Sequence, residues 1–137
     1  MPAKSYRDLE TWQEAMNLVE TCYKLTASLP ADEKFGLASQ IRRAAVSIPA
    51  NIAEGYGRSH RGDYVHHLST AGGSLAELET LLTIAGRLKL LSREDLMPAW
   101  EQTQRVARLL TRLRQSLQKS LTPYPKPHTP YPNRRLS

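Results

Sequence analysis

The sequence predicts an all-α protein, an antiparallel up-down-up-down four-helix bundle followed by a disordered, proline-rich C-terminal tail. Apolar residues recur at three- and four-residue steps through four long segments, and no segment shows the strict alternation of a half-buried strand. Short connections join these segments, which favours antiparallel neighbours. A chain of 137 residues is long enough for one buried core. We therefore expect the bundle over residues 1–120 and the tail over residues 121–137.

Helix 1 is predicted from Asp8 to Leu29, with Ser5 and Asp8 in capping-box spacing and Pro30 as the stop. Two apolar seams run along it, and one of them is enough for packing inside a bundle. The first seam contains Leu9, Trp12, Met16, Val19, Tyr23 and Thr26. The second contains Ala15, Leu18, Cys22, Leu25 and Leu29. We assign the second seam to an oligomer interface, with the bundle core as the alternative.

Helix 2 is predicted from Glu33 to Tyr56, and Pro49 inside it predicts a kink. Asn51 and Glu54 are neighbours on its surface, and we expect both to be structural. A carboxylate among apolar residues is costly to bury unless a cation pairs with it. The candidate partners of the Glu54 carboxylate are Arg42, Arg43 and Arg58.

Helix 3 is predicted from Gly62 or Asp63 to about Leu90. The adjacent Gly72 and Gly73 lie in its interior, where glycine lowers helix stability relative to alanine. This pair predicts close approach by a neighbouring helix, and a local bend is the alternative.

Helix 4 is predicted to begin at Ser92, with Asp95 three residues later as its capping-box partner. Pro98 conflicts with this start, because proline is well tolerated only in the first turn. Either the helix begins later than Ser92 or its first turns are distorted.

The charge of the chain favours an anionic partner, RNA or DNA, bound through the phosphate backbone. The formal net charge is +6 and the pI is near 9.7. Helix 4 has no acidic residue after Glu101, and four of its cations form one stripe opposite its apolar seam: Arg105, Arg108, Arg112 and Lys119. A solvated helix face is the alternative interpretation. The candidate nucleic-acid-binding residues are Arg42, Arg43, Arg58, Arg61, Arg105, Arg108, Arg112 and Lys119.

The sequence lacks the residue patterns of catalytic, metal and cofactor sites, so we expect no enzyme activity, no metal and no cofactor. The four histidines form no i, i+4 ligand pair, and the Glu-x-x-His pairs of bundle metal sites are missing. Cys22 is the only cysteine, which fits a reducing cytoplasm. No apolar run is long enough for a membrane span, and the N-terminus does not resemble a secretory signal.

Four segments carry a resemblance to a known family: residues 6–15, 33–37, 40–58 and 71–80. They resemble the bacterial four-helix-bundle proteins encoded in large-subunit rRNA intervening sequences, which are similar to the accessory variability determinants of diversity-generating retroelements. The resemblance implies a ring-like homopentamer with a central channel, nucleic-acid association and, in the retroelement branch, a reverse transcriptase partner. The positions that match the family's signature are Arg42, Arg43, Ser47, Pro49, Asn51, Glu54, Gly55 and Arg58.

The sequence therefore predicts a non-enzymatic, oligomeric protein that binds nucleic acid or serves as an accessory of a ribonucleoprotein. Phosphate contacts of this kind position a protein on nucleic acid without reading its sequence. The alternative is a structural or protein-interaction oligomer whose positive charge serves solubility. Salt dependence of nucleic-acid binding separates the two hypotheses.

Overall fold

The computed structural model describes residues 5–121, with side chains described as far as Lys119. The tail predicted over residues 121–137, with its disorder, lies outside the described residues from position 122 onward. The described chain contains two single-turn 3-10 helices, no strand and four α-helices. The α-helices are α1 (Glu10–Thr26), α2 (Leu37–Tyr56), α3 (Arg61–Arg87) and α4 (Arg93–Leu121). The prediction of an all-α four-helix bundle is confirmed.

Each helix packs against two others, which gives the bundle a square cross-section. α1 contacts α2 and α4, and α3 contacts the same two helices on the far side. Within residues 5–121, neither diagonal pair of helices comes into contact. The short connections make successive helices antiparallel, so the α1–α2 and α3–α4 connections lie at one end of the bundle. We call this the connection end, and the end with the α2–α3 connection the opposite end.

The second seam of α1 belongs to the core of the protomer, so its assignment to an oligomer interface is wrong. Ala15, Leu18 and Cys22 have no exposed surface, and Leu25 is 8% exposed. α1 must bury a wide apolar stripe because it packs against α2 and α4 at once. The first seam lies at the edge of the core, where Trp12 and Val19 are partly buried.

Helix α1 is shorter than predicted at both of its ends. Ser5 Oγ accepts a hydrogen bond from the backbone N–H of Arg7, so it caps the 3-10 turn Tyr6–Asp8 rather than α1. Leu9 then has an extended backbone and separates this turn from the helix. At the other end α1 stops at Thr26, whose hydroxyl donates to the Cys22 carbonyl oxygen at 2.8 Å.

Two further helix boundaries differ from the predicted ones. α2 begins at Leu37 rather than Glu33, because the Glu33 carboxylate accepts the backbone N–H of Leu37 at 3.1 Å and acts as a cap. α3 ends at Arg87 rather than near Leu90, because Lys89 adopts a left-handed backbone with φ of 60°. The N–H of Leu90 then bonds the Ala85 carbonyl oxygen at 3.0 Å, which closes a Schellman motif.

The close helix approach predicted at Gly72 and Gly73 occurs instead at Gly55. A Cβ added at Gly73 meets no atom within 4 Å, and one at Gly72 makes only ordinary contacts at 3.8 Å. A Cβ added at Gly55 would lie 2.7 Å from the Cβ of His67. Gly55 therefore allows α2 and α3 to approach closely near the opposite end of the bundle.

The predicted start of helix 4 agrees with the structure, and Pro98 lies within the helix. Ser92 Oγ accepts the backbone N–H of Asp95 at 3.0 Å, and α4 begins at the next residue, Arg93. Pro98 is exposed, so the hydrogen bond that it cannot donate is lost on the solvent side. None of the helices among the described residues is long and apolar enough to cross a membrane.

Candidate nucleic-acid interface

The solvent side of α4 carries a row of cations along its C-terminal half. The residues of α4 that face the core are Ala99, Thr103, Val106 and Leu110, all of which are buried. Helical geometry places Arg108, Arg112 and Lys119 on the side opposite to them, and all three are exposed. Among the described residues, none of these three cations has a carboxylate within 4.0 Å. We call these three residues the α4 cation row.

Arg105 continues the same row by position, but its charge is already paired. Its guanidinium lies 3.4 Å from the carboxylate of Glu10 and 3.2 Å from that of Glu14, both on α1. The Arg105 and Glu10 side chains are 51% and 61% exposed, so this pair is largely solvated and weak. Glu14 is only 21% exposed, so its pair with Arg105 is less screened by water and makes the stronger connection between α1 and α4. Arg105 therefore offers less charge to a phosphate than Arg108 does.

Arg42 and Arg43 are neighbours in sequence, yet they have different surroundings. The guanidinium of Arg42 lies over the Tyr23 ring, 4.6 Å from its centroid, and its Nε donates to Thr26 Oγ1 at 2.8 Å. These two contacts attach α2 to the end of α1. Arg43 is exposed and lines a shallow polar depression together with Ser47, Ser74 and Glu77.

Glu54 is paired as predicted, but it is not buried. Its carboxylate accepts from Arg58 Nη2 at 2.8 Å, one helical turn away, and the two side chains are 56% and 46% exposed. An exposed pair of this kind contributes about 0 to 1 kcal/mol. The expectation of a buried Glu54 carboxylate is therefore wrong, and loss of its charge should cost no more than this exposed pair contributes, because the carboxylate keeps most of its hydration.

Asn51 connects α2 to α3 through a short polar network. Its amide nitrogen donates to the Ser47 carbonyl oxygen at 2.9 Å and contacts Ser47 Oγ at 3.1 Å. Ser47 Oγ in turn lies 2.7 Å from Ser74 Oγ on α3. The amide oxygen of Asn51 accepts from His67 Nδ1 at 3.3 Å, since an amide oxygen has no proton to donate. The spacing along α2 could not indicate His67 and Ser74 as the partners, because both lie on another helix.

The predicted cations fall into two groups at different ends of the bundle. Arg42 and Arg43 lie near the connection end, on the second turn of α2. Arg61 opens α3 at the opposite end, and the antiparallel course of α4 brings Arg112 and Lys119 toward that same end. The eight candidate residues therefore do not form one continuous surface, and the α4 cation row with Arg61 is the larger group without paired carboxylates.

The model of one protein family, described as 23S rRNA-intervening sequence protein, matches residues 7–112 of the chain. The chain belongs to this family. The match contains all four helices except the last turns of α4, so Arg108 and Arg112 lie inside it and Lys119 lies outside.

One solved structure supports the fold of this family member. It is a crystal structure at 1.70 Å resolution of a protein of unknown function from the S23 ribosomal protein family of Bacteroides thetaiotaomicron VPI-5482. The two chains superpose with a TM-score of 0.72 at 24% sequence identity, over 77% of this chain and 95% of that chain. At this identity the similarity establishes the shared bundle fold. No protein with a curated function matches the chain.

Two groups of the family member, the buried Cys22 thiol and the half-buried Tyr64 phenol, have a raised pKa. Burial raises the pKa of the Cys22 thiol to about 12, which keeps it protonated and non-nucleophilic at neutral pH. Burial, with a smaller contribution from Tyr56, raises the pKa of Tyr64 to about 12. Within residues 5–121, no group of three or more His, Cys, Asp or Glu side chains is placed to hold a metal ion.

Two exposed cations, Arg87 and Arg93, are not among the candidate residues predicted from the sequence. They flank the α3–α4 connection. They border an apolar groove of about 450 Å³ at the connection end. Its apolar lining includes Leu82, Leu91, Leu96, Met97 and Trp100. The signal available in the sequence was the pair of arginines on either side of a short apolar connection.

Proposed function

We propose that this protein is a non-enzymatic, homo-oligomeric module that binds nucleic acid through the phosphate backbone. The observation that carries the proposal is the α4 cation row, because its three charges are exposed and lack neighbouring carboxylates in the described chain. Membership of a family described by an rRNA intervening sequence makes RNA the first ligand to test.

The spacing of the row suits contacts with a phosphate backbone. Arg108 and Arg112 are one helical turn apart, about 6 Å along the axis, and Lys119 lies about 10 Å beyond them. An extended set of cations on a rigid helix can follow successive phosphates and release their condensed counterions. The α4 helix carries no aromatic residue after Trp100 on which bases could stack. We therefore expect binding that positions the protein without reading sequence.

Assembly would compensate for the modest charge of a single protomer. Three cations give only a weak, salt-sensitive contact, whereas a ring repeats the row around one axis and raises avidity. The family resemblance implies five copies. A reverse transcriptase as partner belongs to the retroelement branch of that resemblance and stays a prediction.

The experiment measures how the affinity for a fluorescein-labelled single-stranded RNA depends on salt, using fluorescence anisotropy. Each phosphate contact on single-stranded RNA adds about 0.7 to the steepness with which log affinity falls against log salt concentration. Removing two contacts should therefore reduce that steepness by about 1.4. The double variant Arg108→Gln/Arg112→Gln should show this decrease and bind all RNA sequences more weakly to a similar extent.

The matched control is Lys24→Gln/Lys89→Gln, which removes the same charge near the connection end, away from the row. It should keep the wild-type salt slope. An equal loss in both variants would mean that net charge, rather than the α4 cation row, attracts RNA. If the wild-type protein bound neither RNA nor DNA at low salt, the nucleic-acid proposal would be wrong and a purely structural or protein-interaction oligomer would replace it.

A further inference from the structure

Phe35 is the most exposed large apolar side chain among the described residues. It is 88% exposed and lies in the connection between α1 and α2. The Nζ of Lys34 lies over one face of its ring, 5.5 Å from the centroid. Because so little of the side chain is covered, the other face of the ring is open to solvent. An open aromatic face is a surface on which an unpaired nucleic-acid base can stack.

The ring lines a basic groove between α1 and α2 at the connection end. The groove has a volume of about 620 Å³, and its lining includes Lys34, Arg42 and Arg43 together with Phe35 and Tyr23. In the described part of the chain, no carboxylate belongs to this lining and none lies within 4.0 Å of the three cations. The groove therefore combines two aromatic rings with three positive charges that lack an ion-pair partner, a combination that suits a single-stranded nucleic acid.

The carboxylates near the basic groove do not cancel its charge. Glu20, Asp32 and Glu33 are its neighbours in sequence but not part of its lining. The Glu33 carboxylate is engaged as the cap of α2 through the backbone N–H of Leu37. Glu77 lines the separate polar depression on the α3 side of Arg43. Phosphates would therefore bind on the α1–α2 side of the ring, away from Glu77.

Arg42 has a fixed position in the basic groove. Its guanidinium lies 4.6 Å from the centroid of the Tyr23 ring, and its Nε donates to Thr26 Oγ1 at 2.8 Å. Its planar group is held by these contacts, so it loses little side-chain entropy when it meets a phosphate. Arg43 is exposed and follows Arg42 directly in the chain. The groove thus offers one positioned cation and two others beside an open ring.

A nucleotide supplies both kinds of group that this surface can bind. Its base presents a flat π-face to the ring, and its phosphate presents a negative charge to the cations. An acidic peptide supplies the charge, but it needs an aromatic residue in the right register to use the open ring face. A base within a duplex is stacked between its neighbours, so its face is not available to a side chain.

We propose that the open face of Phe35 stacks against an unpaired base of a single-stranded nucleic acid whose flanking phosphates contact Lys34, Arg42 and Arg43. This inference rests on the proposed nucleic-acid binding and goes beyond it, because it gives the protein a preference for single strands over duplexes. The stacking contact tolerates any sequence, since every base has a π-face.

Fluorescence anisotropy with the full chain tests the inference, using a labelled single-stranded RNA and a blunt-ended RNA duplex of the same length. Phe35→Ser should weaken binding of the single strand about 5- to 100-fold, the range expected for one lost base–aromatic stack. It should leave the affinity for the duplex and the far-UV circular dichroism spectrum unchanged. An equal loss on both RNAs would overturn the stacking of an unpaired base.

Two further variants separate stacking from apolar contact. Phe35→Trp keeps a π-face and should bind the single strand at least as tightly as the wild type. Phe35→Leu keeps an apolar side chain without a π-face and should lose nearly as much affinity as Phe35→Ser. If Phe35→Leu bound single-stranded RNA as tightly as the wild type, the stacking would be overturned, and an acidic protein segment would become the better occupant of the basic groove.

Salt dependence tests the phosphate contacts independently. Lys34→Gln/Arg43→Gln should reduce the steepness of log affinity against log salt concentration by about 1.4 on the single strand, whereas Phe35→Ser should not change it. An unchanged steepness in the double variant would overturn these contacts. Unchanged single-strand affinity in Phe35→Ser, with RNA binding still weakened by Arg108→Gln/Arg112→Gln, would overturn the stacking site alone. A wild-type protein that binds no nucleic acid would overturn both this site and the proposed function.

Discussion

At the scale of single residues, the partners of a cation decide what its charge contributes. Arg42 contacts Tyr23 and Thr26, and Arg58 pairs with Glu54. Arg105 pairs with Glu10 and Glu14. Arg108 and Arg112 are of the same residue type and lack such neighbours in the described chain. The partners of Arg42 and Arg105 lie on other helices. Sequence spacing alone therefore could not show which of the eight candidate cations are already paired and which are free to bind a phosphate.

Cys22 gives a prediction about alkaline pH. Its pKa is about 12 in the folded protein and 9.0 for an ordinary thiol, so the unfolded chain loses the proton first as the pH rises. The stabilising effect of the buried thiol is complete below pH 9 and is lost between pH 9 and pH 12, by up to about 4 kcal/mol. Cys22→Ala should unfold more easily at pH 7, by about 1 kcal/mol, but lose less stability on going to high pH.

Urea titrations at a series of pH values measure this effect. Tyr64→Phe is the control, because the pKa of Tyr64 is also raised to about 12 and the variant removes that contribution alone. Identical alkaline slopes in wild type and Cys22→Ala would contradict the burial of the thiol in the core.

At the scale of the helices, periodicity predicted which segments are helical, and local chemistry decided where they end. Ser92 was predictable as a cap because its hydroxyl bonds a backbone N–H three residues later. The end of α3 was not, because the left-handed position of its Schellman motif is occupied by Lys89 instead of the usual glycine. The seam of α1 was misassigned because one helix pattern cannot show how many neighbours the helix has.

Gly55 lies against α3 and Gly73 is exposed, so substitution by alanine should change stability in opposite directions at the two positions. Gly55→Ala places a Cβ 2.7 Å from His67 Cβ and 3.0 Å from Tyr64 Cδ1, so α2 and α3 must move apart. Overpacking of this kind should lower the free energy of unfolding by about 1–3 kcal/mol. At the exposed Gly73, an added Cβ has no atom within 4 Å. Gly73→Ala should therefore raise the free energy of unfolding by up to about 1 kcal/mol. Chemical denaturation of both variants provides the measurement, and destabilisation by Gly73→Ala would show that a neighbour covers that face.

At the scale of the whole molecule, one core holds four helices and leaves the surface for association and binding. The buried residues form a single cluster to which every α-helix contributes. The connection end carries the exposed apolar groove between α3 and α4, whereas the α4 cation row extends toward the opposite end. Assembly and nucleic-acid binding would therefore use separate surfaces, and a variant that affects one need not affect the other.

Leu18 tests this separation, because it lies in the middle of α1 with no exposed surface. Leu18→Ala should lower the free energy of unfolding by about 2–5 kcal/mol through lost contacts and a residual cavity. Because the helices share one core, thermal unfolding should remain a single transition at a lower midpoint. Below that midpoint, the association state in sedimentation velocity should match that of the wild type, since Leu18 touches no proposed contact surface. A smaller assembly of normal stability would instead place Leu18 between subunits and contradict the burial of this face of α1 in the protomer core.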